Sequence, residues 1–316
     1  MDALADVLDL SRVSGAVLAR VRAHEPWGVA VAPTRGAAFH AIAAGMCWLS
    51  AGSEPPRQLM PGDVVLLPAG APHRLTSAPG LRAREFSEIA KAQRLSPNGE
   101  LVLDGPGAAT SFLCAGYTYD NEIAHPLMSL FPAVLHLAAS DANSPSQATL
   151  RLLAVELERP AVGTGVVIQR LIDVLLVHVI REWMRARKDN DVASWIRGLR
   201  DPAIAKVLAI LHHRPAERWT VARLAEEAHM ARSTLARRFV ELVGETPLGY
   251  LGRWRMDLAA QMLRDTEEPV AAVGRRVGYH SEFAFSRAFS RARGEPPARF
   301  RRAHRTTRHR DANSLL

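Results

Sequence analysis

Arginine and aromatic side chains alternate near the end of the chain, in the stretch GYHSEFAFSRAFSRARGEPPARF from Gly278 to Phe300. The stretch LARRFVELVGETPLGY, residues 235 to 250, carries the same residue types at the same spacing. The matched pairs, each 50 positions apart, are Leu235 and Phe285, Arg237 and Arg287, Phe239 and Phe289, Gly244 and Gly294, Pro247 and Pro297, and Tyr250 and Phe300. We interpret the two stretches as one structural unit that the chain uses twice.

The chemistry open to these arginines is the recognition of phosphates and base edges. A guanidinium group can donate two parallel hydrogen bonds to a phosphate or to O6 and N7 of guanine. Residues 201 to 316 hold 21 basic and 13 acidic side chains, and this excess of eight accounts for the whole formal net charge of +8. We therefore expect the last third of the chain, and not the electrically neutral first 200 residues, to bind a polyanion.

Each copy of the repeat predicts two helices joined by a turn. In the first copy Thr220 is placed to cap the leading helix, and in the second copy Gly278 forms the turn and Ser281 caps the helix that follows it. Phe239, Phe285 and Phe289 are spaced as core residues. This is the pattern of a helix-turn-helix motif.

The segment between the two copies, TPLGYLGRWRMDLAAQMLRD, predicts one long helix. A helix of about 18 residues is roughly 27 Å long. Such a rod can hold two recognition helices near one turn of DNA apart, so that one chain contacts two successive major grooves.

The stretch from Ser233 to Arg301, and GYHSEFAFSRAFSRARGEPPARFRR above all, resembles the DNA-binding domain of AraC/XylS-type bacterial transcription regulators. It departs from the family pattern at Ala231, where a capping serine is common, and at Gly274 and Pro296. The resemblance implies that the recognition helices present Arg232, Ser233, Thr234, Ala236 and Arg237 in the first copy, and Glu282, Phe283, Ser286 and Arg287 in the second. It implies phosphate contacts by Arg238, Arg276, Ser281 and Arg291.

The first 140 residues predict a β-rich domain. Short apolar runs such as GAVLARV, WGVAVA and DVVLLPAG are separated by Gly, Pro and Ser at the spacing of a sandwich or barrel. The segment GDVVLLPAGAPH, from Gly62 to His73, resembles the second sequence motif of the cupin barrels. The resemblance implies a cupin-like β-barrel that acts as a sensor domain.

The cupin resemblance leaves the chemistry of this domain open. His73 matches the last metal ligand of the cupin oxygenases, but His40 has no second histidine two positions away, so we expect no enzyme. His40, Cys47, His73 and Cys114 could converge into a zinc site or a thiol switch, or the cysteines could be inert core residues. A small-molecule effector could instead bind inside the barrel, lined by Trp27, Phe39 and Trp48, or these residues could simply be core.

Two amphipathic helices are predicted between the domains, and we expect residues 146–187 to form a homodimer. The predicted fold is α+β with two domains, and its boundaries are a cupin-like sensor over 1–140, a helical dimerisation hairpin and linker over 146–190, an all-α AraC-type domain with two helix-turn-helix units over 200–303, and a disordered tail over 304–316. With no leader peptide or membrane span in view, we expect a cytoplasmic protein.

The sequence therefore predicts a sequence-specific transcription regulator. By the resemblance, its partners are double-stranded promoter DNA and RNA polymerase, and a small-molecule or redox signal at the cupin domain controls it. The alternatives are a cupin-type metalloenzyme and a DNA-binding protein without an effector.

Overall fold

Two units make up the computed structural model, which describes residues 3–34, 36–95, 99–119, 131–139, 143–187 and 194–307. One unit is rich in β-structure and contains the described residues from 12 to 187. The other is helical and contains residues 194–307 together with residues 3–11 from the opposite end of the chain.

Two mostly antiparallel sheets form the β-rich unit. The first has the spatial order β11 (Leu135–Leu137), β6 (Val64–Leu67), β3 (Ala37–Ala44), β10 (Ala109–Thr118), β1 (Ser14–His24) and β9 (Glu100–Leu103). The second has the order β5 (Arg57–Leu59), β4 (Cys47–Ala51), β7 (His73–Thr76), β2 (Gly28–Val31) and β8 (Arg84–Glu85). The short helix α2 (Phe86–Ala92) follows β8.

The core of this unit lies between the two sheets. Val21, Val65 and Phe112 from the first sheet pack in one buried cluster with Leu49 and Leu75 from the second. The predicted closed barrel is not confirmed, because the described strands form two separate sheets that hydrogen bonds do not close. The first sheet ends at β9 and the second at β8, and each of these strands pairs in parallel with only one neighbour.

The predicted helix pair is present as α3 (Pro145–Glu158) and α4 (Thr164–Ala186). The two helices run antiparallel, since Ser146 bonds to Glu182 near one end and Thr164 bonds to Glu156 near the other. Helix α4 covers the outer face of the first sheet, where the Tyr117 hydroxyl donates to the carbonyl of Ile172 at 2.9 Å.

The helical unit contains nine helices in its described part. They are α1 (Ala3–Leu10), α5 (Ser194–Arg200), α6 (Pro202–His213), α7 (Val221–Glu227), α8 (Arg232–Val243), α9 (Pro247–Asp265), α10 (Val270–Arg276), α11 (Glu282–Arg293) and α12 (Pro297–Thr307), with α1 contributed by the amino-terminal segment. The predicted long helix is α9, whose 19 residues span about 28 Å.

The amino-terminal helix α1 packs on α6 and α9 of the helical unit. The carboxylate of Asp6 lies 3.1 Å from Nδ1 of His212, a buried residue of α6. Nε2 of His212 is 2.7 Å from the hydroxyl of Tyr250, and the His212 ring stacks on Trp254. Residues 3–11, which the sequence analysis placed in the sensor domain, thus complete the core of the other unit.

The end of the described chain is more ordered than predicted. Helix α12 continues to Thr307, so the first four residues of the expected disordered tail are helical, and residues 308–316 lie outside the described part. The His304 ring stacks on Phe300, and its Nδ1 lies 2.8 Å from the Phe300 carbonyl, which extends the helix past residue 303. Within the described residues, no helix is both long and apolar enough to span a bilayer.

Candidate nucleic-acid interface

Helices α7 and α8 form the first helix-turn-helix unit. Thr220 caps α7 as predicted, with its hydroxyl accepting from the amide of Arg223 at 3.1 Å. Ala231 precedes α8 without a side-chain cap, which is the local consequence of the missing serine. The fully buried Leu235 and Phe239 fix the inner face of α8 and leave its other side exposed.

Helices α10 and α11 repeat this arrangement. The hydroxyl of Ser281 accepts from the amide of Ala284, which confirms the predicted cap of α11. Gly278 forms the turn with a φ of +90°, a conformation that favours glycine. Gly274 lets α10 approach α11 closely, since a Cβ at this position would lie 3.0 Å from Cγ of Phe285.

Most of the predicted DNA-contacting side chains are exposed on the outer faces of α8 and α11. The exposed residues are Arg232, Ser233, Arg237 and Arg238 on α8, and Glu282, Phe283, Arg287 and Arg291 on α11, with Ser281 just before it. Thr234, Ala236 and Ser286 are half-buried. The two sets come from equivalent positions of the two repeats, so the structure presents one basic helix face twice.

Several of the arginines predicted to contact DNA are paired with acidic residues of the same unit. Arg237 pairs with Glu241 at 3.0 Å, and Arg238 pairs with the buried carboxylate of Asp201, which also caps α6. The Arg237–Glu241 pair has the i, i+4 spacing of a helical ion pair and was visible in the sequence. Asp201 lies 37 positions before Arg238, and no local pattern indicated that pair.

The remaining predicted arginines differ in their surroundings. Arg276 pairs with Glu268, whereas the guanidinium of Arg287 lies over the ring of Phe283, with its carbon 5.7 Å from the ring centroid. Arg232 and Arg291 make no ion pair or hydrogen bond with any described residue. These two arginines and Arg287 are therefore open to an external anion.

Comparison with known proteins covers both units. The Cupin family model matches residues 2–185, and the Helix-turn-helix domain model matches residues 224–303. A protein of Streptomyces antibioticus, assigned as an AraC-like transcription regulator, is 34% identical over 96% of this chain and 99% of its own length. A protein of the same assignment from Streptomyces lividans is also 34% identical, over 96% of this chain and 98% of its own length.

The chain belongs to the family of AraC-like transcription regulators. Among solved structures, the DNA-binding domain of AdpA in complex with a target DNA is similar at 35% identity, with a TM-score of 0.33, covering 35% of this chain and 98% of that one. The prediction of a DNA-binding transcription regulator with a cupin-type domain is confirmed, and its relatives are regulators rather than enzymes.

In the β-rich unit of this AraC-like regulator, three of the four predicted histidines and cysteines form a hydrogen-bonded chain. Nδ1 of His40 lies 3.2 Å from Sγ of Cys114, and Nε2 of His40 lies 2.7 Å from Nε2 of His73. Nδ1 of His73 lies 2.8 Å from the carbonyl of Ala71. His40 and Cys114 are paired on adjacent strands of the first sheet, and His73 belongs to the second sheet.

The carbonyl of Ala71, at one end of this series of hydrogen bonds, determines which nitrogen of each imidazole carries the proton. A carbonyl only accepts, so Nδ1 of His73 donates to Ala71 and Nε2 of His73 accepts. Nε2 of His40 then donates to His73, and Nδ1 of His40 accepts from the thiol of Cys114. Every member is therefore paired while both imidazoles are neutral.

The burial of these groups keeps them uncharged. Burial and the neighbouring His73 hold the pKa of His40 well below its usual value, and burial also lowers the pKa of His73, against the opposing effect of the Ala71 carbonyl. Burial and then Asp63 raise the pKa of Cys47 to about 12, and burial followed by Cys47 raises that of Cys114 further. Protonated thiols are weak nucleophiles, which is the behaviour of structural cysteines.

The geometry of His40 also bears on the predicted zinc site. Its two ring nitrogens point in opposite directions, one to Cys114 and one to His73, so these two side chains cannot join His40 around one ion as they are placed. No group of three or more His, Cys, Asp or Glu side chains in the described part of the chain is arranged to hold a metal. A zinc site is thus left as an untested prediction.

The predicted aromatic lining is only partly in the core between the sheets. Trp27 is buried there and stacks on Phe112, with ring centroids 5.4 Å apart. Trp48 alternates with the core residue Cys47 along β4 and is half-buried on the opposite face. Phe39 likewise lies on the outer face of the first sheet, edge-on to Tyr117, so neither residue lines the interior.

Proposed function

We propose that this AraC-like regulator binds promoter DNA with α8 and α11 in successive major grooves. The observation that carries this proposal is the duplicated basic face, in which Arg237 and Arg287 occupy equivalent exposed positions of two helix-turn-helix units. The 19-residue helix α9, which joins the units, is compatible in length with a DNA turn of about 34 Å.

Fluorescence anisotropy tests this proposal directly. The full chain is titrated against the duplex found upstream of its own gene and against a scrambled duplex, at several salt concentrations. We expect tighter binding to the natural duplex, and we expect Arg237→Ala combined with Arg287→Ala to reduce that binding toward the scrambled level. Equal affinity for the two duplexes, weakened only by salt, would contradict sequence-specific recognition.

The helix pair α3 and α4 supports a homodimer. Leu152 and Val155 on α3 are each more than half exposed, and so is Val166 on α4, although all three are apolar. A second copy of the chain would bury this surface. Leu152→Glu should lower the sedimentation coefficient to that of a monomer, while Leu248→Glu, at a similarly apolar exposed site on α9, should leave the dimer intact.

We further propose that the β-rich unit receives a small-molecule signal near Trp27. Its indole Nε1 is buried and has no hydrogen-bond partner among the described residues, so an acceptor on a bound molecule would satisfy it. A reporter gene driven by the upstream promoter tests this. Trp27→Phe should change the regulated expression, and Trp48→Phe should not, because Trp48 lies on the opposite face of its strand. Equal effects of both substitutions would refute this site.

A further inference from the structure

We propose that the second recognition helix recognises a thymine and a guanine on neighbouring base pairs. Phe283 packs against the thymine methyl group, and Arg287 bonds to O6 and N7 of the guanine. This inference rests on the proposed binding of α11 in the major groove and specifies the base chemistry that this helix selects.

Phe283 has no role in the fold that would explain an aromatic side chain at its position. It is 71% exposed, whereas Phe285 and Phe289 on the same helix are fully buried and supply the core contacts. It stands at the second residue of α11, in the amino-terminal turn that approaches base edges in a helix-turn-helix complex. In the major groove the apolar group that a base offers is the C5 methyl of thymine.

Arg287 lies one helical turn after Phe283 and is positioned by it. The guanidinium carbon is 5.7 Å from the Phe283 ring centroid, within the range of a cation–π contact. No described carboxylate pairs with Arg287, so its donors are available for a base. Because the two side chains are in contact, the groups they bind must be neighbours on the DNA, and guanine is the base that matches two parallel donors.

The first recognition helix provides an internal comparison. Ser233 stands where α11 has Phe283, so α8 offers no aromatic surface to a methyl group. Arg237, the equivalent of Arg287, is paired with Glu241, and the equivalent of Glu241 is Arg291, which has no partner among the described residues. Arg237 must leave Glu241 to contact a base. The thymine preference should therefore appear in only one of the two half-sites.

Selection from a randomised duplex library tests the inference with the full-length chain. The wild type should enrich a thymine beside a guanine in one half-site. Phe283→Ala should lose the thymine preference and keep the guanine, and Arg287→Ala should lose the guanine. Leu248→Ala removes another exposed apolar side chain of the same unit, on α9 and not on a recognition helix, and should select the same sequence as the wild type.

Removal of one methyl group from the DNA then tests the contact between Phe283 and thymine by itself. Deoxyuridine in place of the selected thymidine removes only the methyl group. This replacement should weaken DNA binding by the wild type about fourfold, which is the effect of losing the burial of one methyl group. It should leave the affinity of Phe283→Ala for DNA unchanged. The inference would be overturned, without the proposed function, if Phe283→Ala kept its thymine preference. The same would follow if the wild type bound the two duplexes with equal affinity. A wild type that enriches no sequence would instead contradict the proposed function on which it rests.

Discussion

The buried pair of His40 and His73 makes the stability of the β-rich unit depend on pH. In the folded unit burial lowers the pKa of both imidazoles, and in the unfolded chain they return to an ordinary value of about 6.5. As the pH falls below 6.5, the unfolded chain therefore takes up protons that the folded unit excludes. The contribution of these two histidines to the free energy of unfolding is therefore complete above that pH and is lost as the pH falls.

The size of this effect follows from the ordinary histidine pKa. Between pH 7.5 and pH 5.5, one histidine that stays neutral in the folded unit shifts the unfolding equilibrium about tenfold, or about 1.4 kcal/mol. His40 is held well below its usual pKa and contributes this amount. If His73 also stays neutral, the shift approaches a hundredfold, or about 2.7 kcal/mol.

Thiol labelling reports on this unit alone, because the two cysteines of the chain, Cys47 and Cys114, are both buried in its core. The rate of reaction with dithiodipyridine is measured in native protein and in urea-unfolded protein at each pH. Their ratio gives the protection factor and cancels the intrinsic pH dependence of the thiols. We expect the protection factor to fall at least tenfold from pH 7.5 to pH 5.5.

Two variants separate His40 from other titrating groups. His40→Phe should be less protected at every pH but should show a pH dependence about tenfold smaller than that of the wild type. His24→Gln, at a half-buried position of the same sheet, should keep the wild-type dependence. A wild-type protection factor that does not change between the two pH values would refute the assignment of two neutral, hydrogen-bonded imidazoles.

Three further substitutions test the helical unit by calorimetric unfolding. Gly278→Ala should destabilise this unit by about 2 kcal/mol, because φ is +90° and the new Cβ would lie 2.9 Å from the carbonyl oxygen of Ala216. Gly252→Ala in α9 meets nothing within 4 Å and should instead be neutral or stabilising, so a loss of stability there would contradict the packing described. Asp6→Ala should cost about 1 kcal/mol by removing the partner of His212, and an unchanged melting temperature would show that α1 does not dock on this unit.

The helix-turn-helix units could be predicted because their signals are local. Thr220 and Ser281 cap the first residues after them, and Gly244 and Gly294 end α8 and α11 in the left-handed conformation that favours glycine. Each signal acts within about four residues, and the 50-residue repeat shows each of the matched positions twice. The β-rich character, the helix pair and the long helix α9 follow from periodicity in the same way.

The features that could not be predicted depend on contacts between distant residues. In the sequence, helix α1 is an ordinary amphipathic segment, because the partner of Asp6, His212, lies 206 positions later. His40 and Cys114 adjoin only because of the strand register between β3 and β10, which the sequence does not encode locally. The position of Trp48 on the outer face depends on the same kind of register, since a shift of one residue would turn it inward.

Hydroxyl-radical footprinting on the duplex upstream of the gene tests the central claim most directly. If α8 and α11 occupy successive major grooves, each bound chain should protect two stretches of backbone whose centres lie about 10 base pairs apart on one face of the duplex. Arg287→Ala should weaken the protection of one of the two stretches more than that of the other. A single protected stretch for each chain, or uniform protection that Arg287→Ala leaves unaltered, would contradict recognition by two helices.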